Sequence, residues 1–200
     1  MASDENVSVI KDKLTELVRQ AAETRCRAHT RQEEFTLSSV EEEYQVGQVL
    51  GNWMSLILVT GEALKITLKF HFSHKDIKQL IYPIYGEESA AGISDQQSMD
   101  FVKELSNLTA GFLEQTFESM DLSLGISLPL GTRGYYELFS DYSPASSPII
   151  KYSDLWRLQY GDVSILGSVM FEVSNSGALN ELVAYDIESA DEDDGEFDFL

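Results

Sequence analysis

The chain has 200 residues, a formal net charge of −20 and a hydrophobic fraction of 43%. This length and composition suit one folded domain with a core of its own. The strong negative charge argues against nucleic acid and anionic membranes as partners, because both attract basic surfaces. The single cysteine, Cys26, cannot form a disulfide within the chain, and no Cys/His spacing is typical of a zinc site.

The N-terminus lacks the basic and apolar regions of a signal peptide, and no apolar run is long enough for membrane insertion. We therefore expect a cytoplasmic protein. Residues 186–200 carry eight acids and no base. We predict one domain over residues 1–185, followed by a disordered acidic tail. The tail either solubilises the protein or docks on a partner through its aromatic end.

The first elements are a helix and a pair of strands. Apolar residues recur at a helical period over residues 5–28, which predicts an N-terminal helix. Residues 53–59 favour a buried strand, and residues 64–72 alternate strictly between apolar and polar side chains. We therefore predict a hairpin that turns at Gly61. His71 falls on the polar face of the second strand, where we expect a solvated side chain.

The middle of the chain contains two further predicted helices. Ser73 is a suitable cap for a short helix over residues 74–82, and a long helix follows over residues 96–120. Residues 122–128 alternate in hydrophobicity and predict a strand. The segment 131–148 is rich in Gly, Ser, Tyr and Pro, and we interpret it as an irregular insertion. Its aromatic residues either cover the core or form part of an interface.

The last predicted element is a second hairpin. Its strands cover residues 156–160 and 163–173, with the turn at Gly161 and Asp162. This order of helices and strands predicts an α+β domain whose largely antiparallel sheet carries helices on one face.

The long helix over residues 96–120 separates into two stripes when each residue advances by 100°. One stripe is apolar and predicted to face the core. The opposite stripe, which we call the polar ridge, consists of Asp100, Glu104, Asn107, Gly111, Glu114 and Glu118. Gly111 has no side chain, so another surface can come close to the helix backbone there.

Glu104 and Asn107 lie three residues apart, so their side chains point from the same face of the helix. A carboxamide donates to and accepts from one water at once, which allows it to hold that water in line with a phosphorus atom. A carboxylate can pair with a lysine of a partner. Acids and amides on an exposed helix face are also commonly only solvated. The spacing alone therefore leaves both interpretations open.

The run from Asp100 to Gly111, followed by Gly125-Ile-Ser-Leu-Pro129, resembles the CheC/CheX/FliY family of chemotaxis phosphatases. The signature of that family is Asp or Ser, three residues, Glu, two residues and Asn, with Ala-Gly shortly after. Asp100, Glu104 and Asn107 occupy these three positions. The resemblance covers residues 45 to 175 and implies a CheX-like fold, in which two long helices pack on one face of the sheet. It also implies a homodimer formed through the sheets.

The family also differs in the number of such helices, since CheC and FliY carry two and CheX carries one. The N-terminal helix of this chain has Asp12 and Glu16 in the matching spacing, but Arg19 stands where the second Asn would be. The resemblance therefore implies a single site. Arg19, Arg25, Arg27 and Arg31 cluster towards the C-terminal end of the same helix, where positive charge suits the helix dipole. A docking role for this basic end is the alternative.

The activity that the resemblance implies is hydrolysis of the phospho-aspartate of a CheY-like receiver domain. Asn107 would orient the attacking water and Glu104 would pair with a lysine of the receiver, while Asp100 and Gly111 would have supporting roles. The receiver would bring Mg2+, and this chain would need no cofactor of its own. Two alternatives remain: a non-catalytic CheX-like module that binds a receiver or another signalling partner, and a ridge without function.

Overall fold

The computed structural model describes residues 4–32, 34–40, 53–133 and 150–185. The predicted tail and residues 134–148 of the predicted insertion lie outside the described residues. In chain order the helices and strands are α1 (Asp4–Thr30), β1 (Thr36–Ser39), β2 (Trp53–Thr60), β3 (Leu64–Phe72), α2 (His74–Ile81), α3 (Asp95–Glu118), β4 (Gly125–Ile126), β5 (Leu130–Arg133), β6 (Ile150–Tyr160), β7 (Val163–Val173) and α4 (Asn180–Ala184). Short 3-10 turns cover Ala90–Gly92 and Ser176–Leu179.

The seven described strands form one sheet in the order β1-β6-β7-β3-β2-β4, and β5 also pairs with β2. Residues 131–133 belong to β5, so the prediction that the irregular insertion begins at residue 131 is wrong. All of the described strand pairs are antiparallel. Both predicted hairpins, β2–β3 and β6–β7, are confirmed. Gly161 has a φ of +55° at the second turn, a backbone conformation that glycine adopts without steric cost. Strand β6 begins at Ile150 instead of residue 156.

Helices α1 and α3 pack against each other on one face of this sheet. They contain 27 and 24 residues, and their apolar stripes join the inner faces of the strands in one hydrophobic core. Core residues that are fully buried include Leu14, Leu17, Leu105, Leu113, Trp156 and Phe171. The predicted fold class, an α+β domain with two long helices on one face of an antiparallel sheet, is therefore confirmed. Homodimer formation remains a prediction.

The predicted strand over residues 122–128 is wrong in extent, because pairing with β2 is interrupted. Ile126 pairs with Val59, and pairing resumes where Leu130 faces Leu56. Three residues therefore lie opposite two on β2, which is the geometry of a β-bulge. In this bulge the Oγ of Ser127 accepts a hydrogen bond from the backbone N–H of Leu58 at 3.0 Å. Alternating hydrophobicity identifies faces of a strand but does not reveal one inserted residue.

The expectation that His71 is solvated is also wrong. Its side chain lies on the face of the sheet away from the helices and is only 4% exposed. The strands on either side place Met54 and Leu166 directly opposite it, and both are buried. The Nε2 atom of His71 lies 2.9 Å from the Oγ of Ser168. Neighbouring strands thus bury a side chain whose own strand suggests exposure.

Stability is expected to fall as the pH is lowered from about 6.5 towards 4. Burial lowers the pKa of His71 to about 4, with a smaller contribution from the charge of Lys69. In this window the unfolded chain binds a proton that the folded chain does not, so protonation favours unfolding. One such proton changes the free energy of unfolding by about 1.4 kcal/mol per pH unit. Over the whole window His71 therefore contributes about 3 kcal/mol to the loss of stability.

Urea unfolding at several pH values between 7 and 4 measures this slope. The matched variant is His71→Gln, which keeps a polar partner for Ser168 but has no proton to gain. In this variant the free energy of unfolding should depend less steeply on pH, by the contribution of about one proton. Burial also lowers the pKa values of His29 and His74, so part of the slope should remain. An unchanged slope in the variant would contradict the assignment to His71.

Candidate functional site

Helix α3, which carries the polar ridge, is anchored at its first turn. The Oγ of Ser94 accepts from the backbone N–H of Gln97 at 3.1 Å, and the Gln97 side chain accepts from the Ser94 N–H at 2.9 Å. This capping box begins the helix at Asp95. The Nζ of Lys78 on α2 lies 2.6 Å from the Asp95 carboxylate. The start of α3 is therefore defined by local hydrogen bonds and by its neighbour α2.

The face of α3 opposite the ridge is attached to the sheet. Near the middle of the helix, the Oγ of Ser106 lies 2.7 Å from the Oγ of Ser55 on β2, and both side chains are buried. The predicted apolar stripe is buried throughout, at Phe101, Val102, Leu105, Thr109, Phe112, Leu113 and Thr116. With this face turned inward, the ridge must point away from the core.

Within the ridge, Asp100, Glu104 and Asn107 are exposed, and Gly111 is half-buried. The structure therefore brings the four predicted site residues to one surface of α3. The carboxylate of Asp100 accepts a hydrogen bond from the Nε2 of Gln96 at 2.8 Å, one turn earlier on the same helix. This contact orders the beginning of the ridge. The exposed carboxylate and carboxamide that follow it are open to contact from outside.

The surface above Gly111 is open. A Cβ atom built at this position would have no heavy atom within 4 Å, apart from the helix's own neighbouring backbone. The ridge therefore has a gap one turn beyond Asn107, where the helix backbone is the outermost structure. This agrees with the expected role of Gly111 in permitting close approach.

The end of α1 borders the ridge, a contact that sequence reasoning did not identify. The ring of His29 stacks on that of Phe101 with 4.3 Å between the ring centroids and an angle of 19° between their planes. The guanidinium of Arg25 lies 4.9 Å from the ring centroid of Phe112. Burial lowers the pKa of His29, while the charge of Glu104 opposes that shift. His29 and Glu104 are 75 positions apart, so no local pattern indicates their proximity.

Arg19, which stands where a second Asn would be, is held by hydrogen bonds. Its Nε and Nη2 atoms donate to the two carboxylate oxygens of Asp154 at 2.7 and 2.6 Å, and its Nη1 donates to the Oγ of Ser39 at 2.7 Å. Such a bidentate pair fixes the guanidinium plane. Arg19 therefore ties α1 to β6 and β1. Arg27 is likewise engaged, with Glu23 and with the carbonyl of Phe35.

Other kinds of site find little support in the part of the chain that the structure describes. A shallow cavity of about 490 Å³ lies beside Arg19 and is separate from the ridge. No three described His, Cys, Asp or Glu side chains come together to hold a metal ion. Burial raises the pKa of Cys26 to about 12, so this thiol is unsuited to act as a nucleophile. None of the described helices is long and apolar enough to cross a bilayer.

Solved structures similar to this chain share its architecture. A CheC-like protein from Shewanella oneidensis MR-1 is 17% identical, with a TM-score of 0.58 over 84% of this chain and 99% of that chain. A chain of the CheX–CheY–BeF3–Mg2+ complex from Borrelia burgdorferi is 14% identical, with a TM-score of 0.55 over 80% and 96%. FliY from Thermotoga maritima is 12% identical, with a TM-score of 0.54 over 92% and 98%.

These proteins define the class: the chain has the fold shared by CheC-like, CheX and FliY proteins. More particularly, it has a CheX-like fold, as the signature on α3 suggested. No protein-family model matches the sequence, and no curated protein matches it either. At these identities the likeness establishes the fold, and the function has to be argued from the ridge.

Proposed function

We propose that the chain accelerates hydrolysis of the phospho-aspartate of a CheY-like receiver domain. The observation that carries this proposal is the exposed pair of Glu104 and Asn107 on α3, beside the open surface at Gly111. The pair lies on the exposed face of α3, in a chain with a CheX-like fold. One structural neighbour is a chain of a CheX–CheY complex, which supports a receiver as the partner.

In the proposed mechanism Asn107 positions the attacking water. Its carboxamide oxygen accepts a hydrogen bond from the water while its N–H group remains able to donate. The water oxygen forms a bond to phosphorus, and the bond between phosphorus and the receiver's aspartate oxygen breaks. The products are inorganic phosphate and a free carboxylate. Because phosphoryl transfer depends mostly on positioning and electrostatics, one well-placed amide can have a large effect on the rate.

Glu104 would hold the two proteins in register by pairing with a lysine of the receiver, since such charge-assisted hydrogen bonds are among the stronger ones. Asp100, already bonded to Gln96, would support the start of the ridge. Mg2+ held by the receiver would supply neutralisation of the developing phosphate charge.

Substitutions at Gly111 should separate stability from partner binding. Gly111→Ala is expected to stabilise the chain by about 1 kcal/mol, because glycine is unfavourable inside a helix and the added Cβ meets no neighbour. Gly111→Trp should instead weaken receiver binding, since its side chain projects from the ridge. Urea unfolding and titration with an activated receiver measure the two effects. A Trp variant that binds as tightly as the wild-type chain would exclude close approach at Gly111.

A binding module without catalytic activity is the second candidate. Leu128 is 89% exposed and Leu130 is 43% exposed, on the bulged edge strand next to α3. These side chains offer apolar contact area that hydrolysis itself does not require. Such a module would bind a receiver or another signalling partner through the same ridge.

The test is the decay of phosphate on a loaded receiver domain, measured with and without this chain. Catalysis predicts that substoichiometric amounts of the chain shorten the lifetime of the phosphate. Binding without a change in lifetime would favour the module. Failure to bind several cognate receivers would remove both candidates and leave the ridge without a receiver-directed function.

A further inference from the structure

We propose that His29 is a positioning residue for Glu104, through a proton-dependent contact between the two side chains. A neutral His29 leaves the carboxylate of Glu104 available to the receiver's lysine. A protonated His29 pairs with Glu104 and withdraws it from the partner. This inference rests on the proposed function and adds a pH-dependent control to the same site.

The first support is the position of the imidazole. His29 lies in the last turn of α1, and its ring stacks on Phe101 at a centroid distance of 4.3 Å. Phe101 precedes Glu104 by three residues, which places the two on adjacent turns of α3. The stacked imidazole therefore lies against the flank of the ridge, and protonation does not oppose this contact, because a cation is attracted to an aromatic face.

The second support is an unused nitrogen. The Nε2 atom of His29 is buried and makes no hydrogen bond within the described part of the chain. Buried polar atoms are usually paired, so an unpaired imidazole nitrogen at a candidate site suggests a function. Protonation would convert this nitrogen from an acceptor into a donor with a positive charge. The carboxylate of Glu104, whose charge acts on His29, is then its natural partner.

The surrounding charges favour this pair. From α3, the charge acting on His29 is that of Glu104. From α1, Arg25 lies over an aromatic ring of α3, Arg27 is paired within its own helix, and Arg31 is exposed beyond the last turn. Burial lowers the pKa of His29 below its ordinary value, against the opposing effects of the Glu104 charge and of a hydrogen bond between the imidazole and the Phe101 backbone. At neutral pH the imidazole is therefore mostly uncharged.

The sign of the effect follows directly. Above its pKa His29 is neutral, and the acceleration of phosphate loss should be at its maximum. As the pH falls through that pKa, the fraction of chains with a free Glu104 falls by about tenfold per pH unit. The rate enhancement, expressed relative to spontaneous decay at each pH, should fall with it.

His29→Phe provides the decisive variant, because it keeps the aromatic stacking on Phe101 and removes the titrating group. Phosphate decay is measured from pH 7.5 to 5 with the wild-type chain and with the variant. The wild-type enhancement should fall at low pH, whereas the variant's enhancement should stay level. His74→Gln, at the start of α2 and beside Ser98 in the first turn of α3, is the matched control and should keep the wild-type profile. Identical profiles for wild type and His29→Phe would overturn the proposal.

A second measurement is independent of any receiver. The pKa of His29 is followed by NMR titration of its imidazole carbon in the wild-type chain and in Glu104→Gln. Loss of the neighbouring negative charge should lower that pKa. An unchanged pKa would overturn the contact between His29 and Glu104. If the wild-type chain accelerates decay at no pH, the proposed function fails, and this titration still decides whether the pair exists.

Discussion

Replacing Asn107 by alanine is expected to reduce the acceleration of phosphate loss from a receiver by about 10²-fold, the cost typical of removing one positioned polar group from a reaction site. Asn107 is exposed, and alanine is a better helix former, so α3 and the fold should persist. Binding should also persist, because Glu104 is unchanged. Rapid-quench measurement of phosphate decay, with calorimetric titration of the same receiver, separates the two effects.

Gln115→Ala is the matched control for this experiment. Gln115 is an exposed amide on the same helix, two turns beyond Asn107, and its loss should leave the decay rate unchanged. Equal losses in both variants would point to a general effect on α3 instead of a positioned water. If the wild-type chain leaves the decay rate unchanged with several receivers, the catalytic interpretation is ruled out. Binding without acceleration would then support the module.

Gly167→Ala is expected to cost about 3 kcal/mol of folding free energy, at the upper end of typical overpacking effects. Gly167 lies directly across from Trp156 in the pairing of β6 and β7. A Cβ atom at Gly167 would stand 2.2 to 2.6 Å from three ring atoms of Trp156, whose side chain is fully buried. The rigid indole can move only by displacing the core around it. Urea unfolding at pH 7 measures the loss.

Gly125→Ala is the control for the strand environment. A Cβ atom there would have as its nearest neighbour the carbonyl oxygen of Thr60, at 3.9 Å, so the change should stay within about 0.5 kcal/mol. Trp156→Leu removes the clashing ring, and Gly167→Ala should cost much less in that background. If Gly167→Ala costs the same with and without Trp156, the close approach is not the source of the effect.

Local patterns predicted the elements that carry the site. Helix α3 was expected over residues 96–120 and extends over Asp95–Glu118, with both stripes as expected. The strand β3 begins and ends as its alternation predicts. These successes share one cause, because the periods of 3.6 and 2 residues follow from backbone geometry. A helix with one apolar side must turn that side inward, and this exposes Glu104 and Asn107.

The failures involve residues whose surroundings come from elsewhere in the chain. His71 is buried by Met54 and Leu166, which belong to two other strands. The bulge after Ile126 depends on how the edge strand pairs with β2. In each case the sequence contains the side chain but not the distance to its neighbours.

The sequence by itself therefore determined the helices, most strands and the identity of the ridge, because these depend on periodicity and on residues close along the chain. Only the tertiary structure decided what surrounds that ridge. It placed His29 beside Phe101 and Glu104, and it engaged Arg19 with Asp154 across 135 positions. Burial, pairing and the resulting pKa shifts are set by atoms packed within a few ångströms, and folding brings those atoms together from distant parts of the chain.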